Sequence, residues 1–132
     1  MYKINERLAT DGIGEDVYPM PPNRLLTFKH IDDEWTILDV RCLSAEGLNS
    51  LDDYEERIDF GCTMLHTNIK KLVVCCGAGQ SRSNAIALGI LVKFFKMDFW
   101  DAWELIKEKV PISQIDPSHI VKLKRLFGVT LP

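Results

Sequence analysis

Cys76 and Arg82 stand at the two ends of a small-residue loop, Cys75-Cys76-Gly77-Ala78-Gly79-Gln80-Ser81-Arg82-Ser83. A thiol, glycines and a guanidinium at this spacing suit attack on a bound tetrahedral anion. Successive backbone N–H groups of such a loop can turn inward on an anion, and the dipole of a following helix adds positive potential at the same point. The guanidinium fork of Arg82 takes two phosphate oxygens at once. The same N–H groups and cation favour the thiolate of Cys76, the form that attacks. Ser83 is then placed to hydrogen-bond the sulfur when it leaves a phosphoenzyme. A Cys–Arg pair at this spacing is common by chance. The weight rests on Gly79, on Ser83 after the arginine, and on the apolar strand and helix at either side.

Those flanks are legible. Leu72-Val73-Val74-Cys75 is an unbroken apolar run, which suits a parallel strand buried on both faces. Ser83 to Lys96 is apolar on nearly all sides (Ala85, Ile86, Ala87, Leu88, Ile90, Leu91, Val92, Phe94, Phe95), so a helix there belongs in the middle of a fold. Upstream, Ser50 caps a helix with Asp53 three residues on, and Leu51, Tyr54, Ile58, Cys62 and Leu65 recur at helical spacing. Gly61 costs that helix about 1 kcal/mol relative to Ala. Downstream, Asp98 caps a helix with the stripe Phe99, Ala102, Trp103, Ile106 and Val110, ended by Pro111. Asp116-Pro117 opens a last helix that buries Ile120, Leu123 and Phe127 and stops near Gly128. In the first third, Thr36 to Val40 reads as a strand, with Tyr2-Lys3-Ile4 and Leu8-Ala9 as parts of a short one. Asp11 to Gly14 and Tyr18 to Pro22 read as turn or loop. Strands early and helices late, with a buried strand feeding a buried helix, predict an α/β domain.

The 132 residues fit one domain, 1–132, and 46% hydrophobic with 27% charged residues is an ordinary globular mixture. A formal charge of -3 offers no basic excess for nucleic acid or an anionic membrane. The chain opens Met1-Tyr2-Lys3-Ile4-Asn5-Glu6 without an apolar signal stretch, and Ala85 to Val92 is far too short to span a bilayer. The expectation is a soluble, intracellular, cytoplasmic domain. Cys42, Cys62, Cys75 and Cys76 form no C-x-x-C pair, so neither a disulfide framework nor a structural zinc site is expected.

The loop resembles the signature His-Cys-x-x-Gly-x-x-Arg-Ser/Thr of the dual-specificity branch of the cysteine-dependent protein tyrosine phosphatases. The resemblance runs from about Ser50 to Gly128. Leu51 to Leu65 is similar to the family's helix ahead of the signature strand, and Met97 to Lys107 to its next helix. Val110-Pro111 resembles its Arg-Pro turn, and Asp116-Pro117-Ser118 its Asn-Pro-Gly. It implies a central, mostly parallel sheet flanked by helices, in the compact dual-specificity phosphatase fold. It further implies a phosphocysteine on Cys76, phosphate held by Gly77, Ala78, Gly79, Gln80, Ser81 and Arg82, Ser83 assisting the sulfur, and no metal or organic cofactor. The substrate class it implies is phosphotyrosine in proteins, extending to phosphoserine and phosphothreonine.

Two departures shape the expectation. Cys75 replaces the His whose hydrogen bonds help order the loop. Laying Leu38-Asp39-Val40-Arg41-Cys42 on the family's Ile-Pro-Val-x-Asp puts Cys42 where the general acid belongs; Asp39 and Glu46 are the substitutes within reach. General acid catalysis is worth about 10²–10⁴-fold, so its loss leaves a slow enzyme rather than an inert one. The alternative is a pseudophosphatase, a phosphate-binding or interaction module with little turnover. A rhodanese-like sulfurtransferase fits less well, because its loop usually has four residues between Cys and Arg against five here.

Plainer roles stand beside these. Asp39 can form a structural pair with Arg41 or a loop amide, and Glu46 can be a solvated loop residue. Cys42, if it fills the vacant acid position, is near enough to Cys76 for a reversible disulfide. Cys62 and Cys75 read as packed small hydrophobes. His30, His66 and His119 suggest solvent-facing or capping roles, Trp100 and Trp103 core packing, and Asp52-Asp53-Glu55-Glu56 the charged face of a helix.

Overall fold

The apolar run ahead of Cys76 becomes the centre of the sheet. A computed structural model describes residues 1–14, 34–46, 48–67 and 69–130, and the backbone of 26–29. Its elements in chain order are β1 (Tyr2–Lys3), β2 (Leu8–Gly12), β3 (Leu26–Lys29), β4 (Trp35–Asp39), α1 (Leu51–His66), β5 (Lys71–Cys76), α2 (Arg82–Lys93), α3 (Phe99–Lys109) and α4 (Pro117–Phe127). The sheet order is β1-β2-β5-β4-β3. The inner three strands are parallel, β2 pairing Leu8↔Leu72 to Gly12↔Cys76 and β4 pairing Trp35↔Lys71 to Asp39↔Cys75. Each edge strand, β1 and β3, adds antiparallel. The architecture is therefore the expected mixed α/β sheet with helices, parallel at its centre.

The lack of alternation in β5 has the reason expected of a strand covered on both faces. Leu72, Val74 and Cys76 join the main core with Leu8, Leu38 and the helices, while Val73 and Cys75 turn to a second cluster with Ala9, Ile13, Trp35 and Ile37. Among the described residues all four helices contribute to the first cluster. α2, with Ser83 to Leu91 buried throughout, is the central helix. α1 crosses it closely: a Cβ on Gly61 would meet Ile90 Cδ1 at 2.6 Å, and one on Gly89 would overlap Ile58. The helix-weakening Gly61 and its counterpart Gly89 thus together let the two helices touch.

The local signals for the helices hold. Ser50 and Asp53 form a reciprocal capping box, Asp98 accepts from the N–H groups of Trp100 and Asp101, and Asp116 accepts from that of Ser118. Gly128 closes α4 in the left-handed conformation. Cys62 is buried, as expected of a helix core residue.

Three expectations are corrected. Asp11 and Gly12 belong to β2, and Ile13 and Gly14 continue its pairing by donating to the carbonyls of Cys76 and Gly77, each at 2.9 Å. Pairing with β5 overrides the turn preference of this glycine-rich stretch. α2 ends at Lys93 rather than Lys96; the chain reverses at Lys96 (φ 60°) and Met97 N–H returns to the carbonyl of Leu91. His119 is neither solvent-facing nor a cap but fully buried. Trp100 and Trp103 pack against the main core as expected, half-buried and stacked on one another at 5.8 Å, with Lys124 over the first ring and Lys107 over the second. The stretch Tyr18 to Pro22 and His30 lie outside the described residues.

Candidate active site

The nucleophile candidate sits where β5 ends. Cys76 is its last residue, buried, with Sγ 3.4 Å from Ser83 Oγ on the first turn of α2. Between them the loop is pinned from outside at four carbonyls. Cys76 O accepts from Ile13 N–H and Gly77 O from Gly14 N–H (2.9 Å each). Gly79 O and Gln80 O accept from Asn84 Nδ2 at 3.0 and 2.9 Å, and Gln80 O also from Gln114 N–H at 2.8 Å. No peptide bond here is cis, so the N–H of each unit points opposite to its carbonyl. The N–H groups of Gly77, Ala78, Gln80 and Ser81 therefore all turn away from these outer partners, toward the inside of the loop.

Two glycines make that course possible. Gly79 takes φ +74°, and a Cβ there would stand 2.7 Å from the backbone nitrogen of Gly12. A Cβ on Gly12 would in turn meet the carbonyl carbon of Ala78 at 2.7 Å. The loop lies directly against the end of β2, and neither position has room for a side chain.

Arg82 opens α2 at the far end of the loop. Its Nη1 donates to the carbonyls of Arg41 (2.7 Å) and Leu43 (3.3 Å), the two residues that bracket Cys42. The segment aligned with the family's acid loop is thus clamped by the loop arginine. Ser81 Oγ accepts from Asp116 N–H at 2.9 Å, which ties the loop to the start of α4.

Asp39, the sequence candidate for a proton donor, lies in a buried ion pair with Arg41. Its Oδ2 takes Arg41 Nη2 (2.6 Å) and Nε (3.0 Å), while Oδ1 takes Nε and the backbone N–H of Arg41, both at 3.0 Å. Both side chains are 0% exposed. Arg41 Nη1 continues to the carbonyl of Gly14, beside the loop. Glu46, the other substitute, is exposed, its N–H donating to Ser44 Oγ. Cys42 is half-buried, whereas the thiols of Cys62 and Cys75 are shielded. Burial pushes Cys75 up, with Asp11 and Asp39 adding to it, and its Sγ points back to the carbonyl of Val73. Burial pushes Cys62 up to about 11.

The structure also assembles residues that no sequence motif singled out. His119 Nδ1 lies 2.6 Å from Tyr54 Oη, which accepts from Asn49 Nδ2 at 3.2 Å; Asn49 in turn accepts from Ser44 N–H. Among the described residues, His119 Nε2 is buried with no hydrogen-bond partner. Burial holds its imidazole below the ordinary 6.5, opposed by Asp116 and reinforced by Arg82. A depressed histidine has a defined consequence. Below pH 6.5 the unfolded chain takes up a proton that the native state refuses, so stability falls with acidification until the native value is passed. Thermal melts from pH 7.5 to 5 should show that loss, and His119→Phe should flatten it if the variant remains folded. An equal slope in both proteins would assign the loss to other groups. Asn84 could have been found from sequence as an amide in an otherwise apolar helix, since buried amides require partners.

No protein-family model and no curated protein matches the sequence. Solved structures do match in fold. Human DUSP28 superposes with a TM-score of 0.59 at 16% identity, over 65% of this chain and 60% of that one. A leucine rich repeat and phosphatase domain containing protein from Entamoeba histolytica gives 0.56 at 21%, over 65% and 59%. The human tyrosine phosphatase-like serine/threonine/tyrosine-interacting protein gives 0.54 at 19%, over 65% and 57%. The match thus spans about 60% of the DUSP28 chain. Sheet order, central helix and strand–loop–helix unit together give this chain the protein tyrosine phosphatase-like fold of the dual-specificity phosphatases.

Proposed function

We propose that the chain is a cysteine-dependent phosphatase acting on phosphate monoesters. One observation carries this reading: four loop carbonyls are drawn outward, which leaves four N–H groups facing inward between Cys76 and the helix terminus bearing Arg82. That is the arrangement an oxyanion needs, because the donors are in place before charge develops on the transferring phosphoryl group. Cys76 as thiolate attacks phosphorus; the S–P bond forms as the ester P–O bond breaks, and the leaving oxygen takes its proton from solvent water. Water then attacks the phosphocysteine and loses a proton to solvent, the P–S bond breaks with its electron pair going to sulfur, and Ser83 hydrogen-bonds the departing thiolate. Gly77 to Ser81 would hold the phosphoryl oxygens together with Arg82.

Phosphotyrosine in proteins is the favoured substrate. The loop from Gly77 to Ser81 contains no Lys or Arg to bind further phosphates. Asp39 is committed to Arg41, so we assign it a positioning role, and no carboxylate is assigned as proton donor. Aryl esters, whose leaving groups need little protonation, are hurt least by that.

Cys42 at the acid position favours a second reading, a phosphate-binding module with little turnover. Phosphate release from p-nitrophenyl phosphate and from an alkyl phosphate, by wild type and Cys42→Asp, separates the two. The phosphatase reading expects measurable hydrolysis of the aryl ester by wild type. It also expects Cys42→Asp to raise the alkyl rate about 10²-fold or more, with a smaller gain on the aryl ester. No hydrolysis of either ester by either protein, with phosphate still bound, supports the module.

A further inference from the structure

Asn84 is fully buried in the first turn of a helix that is apolar from Ala85 to Val92. A buried amide is tolerated only when its donors and acceptor are matched. Here Nδ2 gives its hydrogens to two consecutive loop carbonyls, Gly79 O and Gln80 O, and Oδ1 accepts from Thr10 Oγ1 at 2.9 Å. The orientation is forced. Turned over, the amide would set its own oxygen against those two carbonyls. Thr10 is itself fully buried, on β2, so its hydroxyl reaches Asn84 from a strand 74 positions away in sequence.

Consecutive carbonyls of an extended chain alternate sides. Two that face the same way need a bend at Gln80, whose dihedrals join the two peptide planes, and Gly79 at φ +74° turns the chain into it. Asn84 is the group that holds both planes in that arrangement, and with them the inward N–H groups of Gln80 and Ser81. Gln114 N–H shares the load at Gln80 O; for Gly79 O, Asn84 is the hydrogen-bond partner the structure provides.

We propose that Asn84, oriented by Thr10, is the positioning residue that sets the loop's affinity for oxyanions. The inference rests on the phosphatase reading and deepens it: half of the four inward N–H donors depend on one side-chain amide, and that amide depends on one hydroxyl of the neighbouring strand. Neither side chain touches the substrate.

The test uses the full chain carrying Cys76→Ser, so that turnover does not interfere, titrated calorimetrically with inorganic phosphate. Asn84→Ala should weaken binding about ten- to a hundred-fold. Thr10→Val should produce part of the same loss, and Thr10→Ser, which restores the hydroxyl, should recover it. Thermal melts of each variant confirm the folded state, and Thr10→Val against Thr10→Ser carries the test if Asn84→Ala does not fold. Rescue by serine is what a purely space-filling role would not give. Folded Thr10→Val and Asn84→Ala binding phosphate as tightly as their parent would overturn the inference alone. A parent that binds no phosphate would overturn the phosphatase reading, and this inference with it.

Discussion

Cys76→Ser is expected to reduce hydrolysis of p-nitrophenyl phosphate by about 10⁴-fold or more, the scale on which loss of a nucleophile acts in enzymes whose catalytic groups work as a unit. The same substitution should leave phosphate binding within a few-fold of wild type. The four inward N–H groups and Arg82 are independent of the sulfur, and serine fits the space of cysteine beside Ser83. The pairing of the two results is what matters. Loss of both would make Cys76 a structural residue. Retention of the rate would place the chemistry elsewhere. Cys62 and Cys75 cannot take over, because burial raises both thiols and keeps them protonated at neutral pH.

Asp39→Asn should be the most destabilising single change near the site. The carboxylate and the Arg41 guanidinium are both sealed from solvent, and removing one charge leaves the other buried without compensation. Breaking such a pair costs about 3–5 kcal/mol, or roughly 10–15 °C in melting temperature for a domain of this size. Arg41→Met should cost as much, and the double variant Asp39→Leu with Arg41→Met should cost clearly less than the two together. The pair also reaches the candidate site. Asp39 Oδ1 fixes the N–H of Arg41, whose carbonyl receives Arg82. Any folded Asp39→Asn protein should therefore show weakened substrate binding, with aryl and alkyl esters affected alike. A proton donor would behave differently, with the alkyl rate falling much further than the aryl rate. That outcome would restore Asp39 as the general acid.

What was legible in the sequence is what local chemistry fixes. The capping box at Ser50 and Asp53, the Asp-Pro start of α4 and its glycine stop each act within a few residues. The unbroken apolar run of β5 announced its burial because only a strand covered on both faces can have that composition. Cys76, Arg82 and Ser83 could be grouped as candidates from sequence because they lie in one short segment. The remainder depends on partners distant in the chain. Asp11 and Gly12 are extended only because β5 lies beside them. Asn84 gains a role only from Thr10 and from loop carbonyls that must first be folded. His119 could not be distinguished from a surface histidine until α1 brought Tyr54 against it. Asp39 looked equally suited to proton transfer and to an ion pair. In the structure Arg41, two residues on, folds its guanidinium back over the carboxylate.

The central claim is a covalent bond from the sulfur at the end of β5 to phosphorus. Rapid acid quenching of the protein with p-nitrophenyl phosphate, followed by mass spectrometry of its peptides, tests it most directly. A single phosphoryl group on Cys76, absent when the protein is first saturated with inorganic vanadate, is the expected result. Release of p-nitrophenol with no adduct at any quench time, or an adduct on a residue other than Cys76, would contradict it.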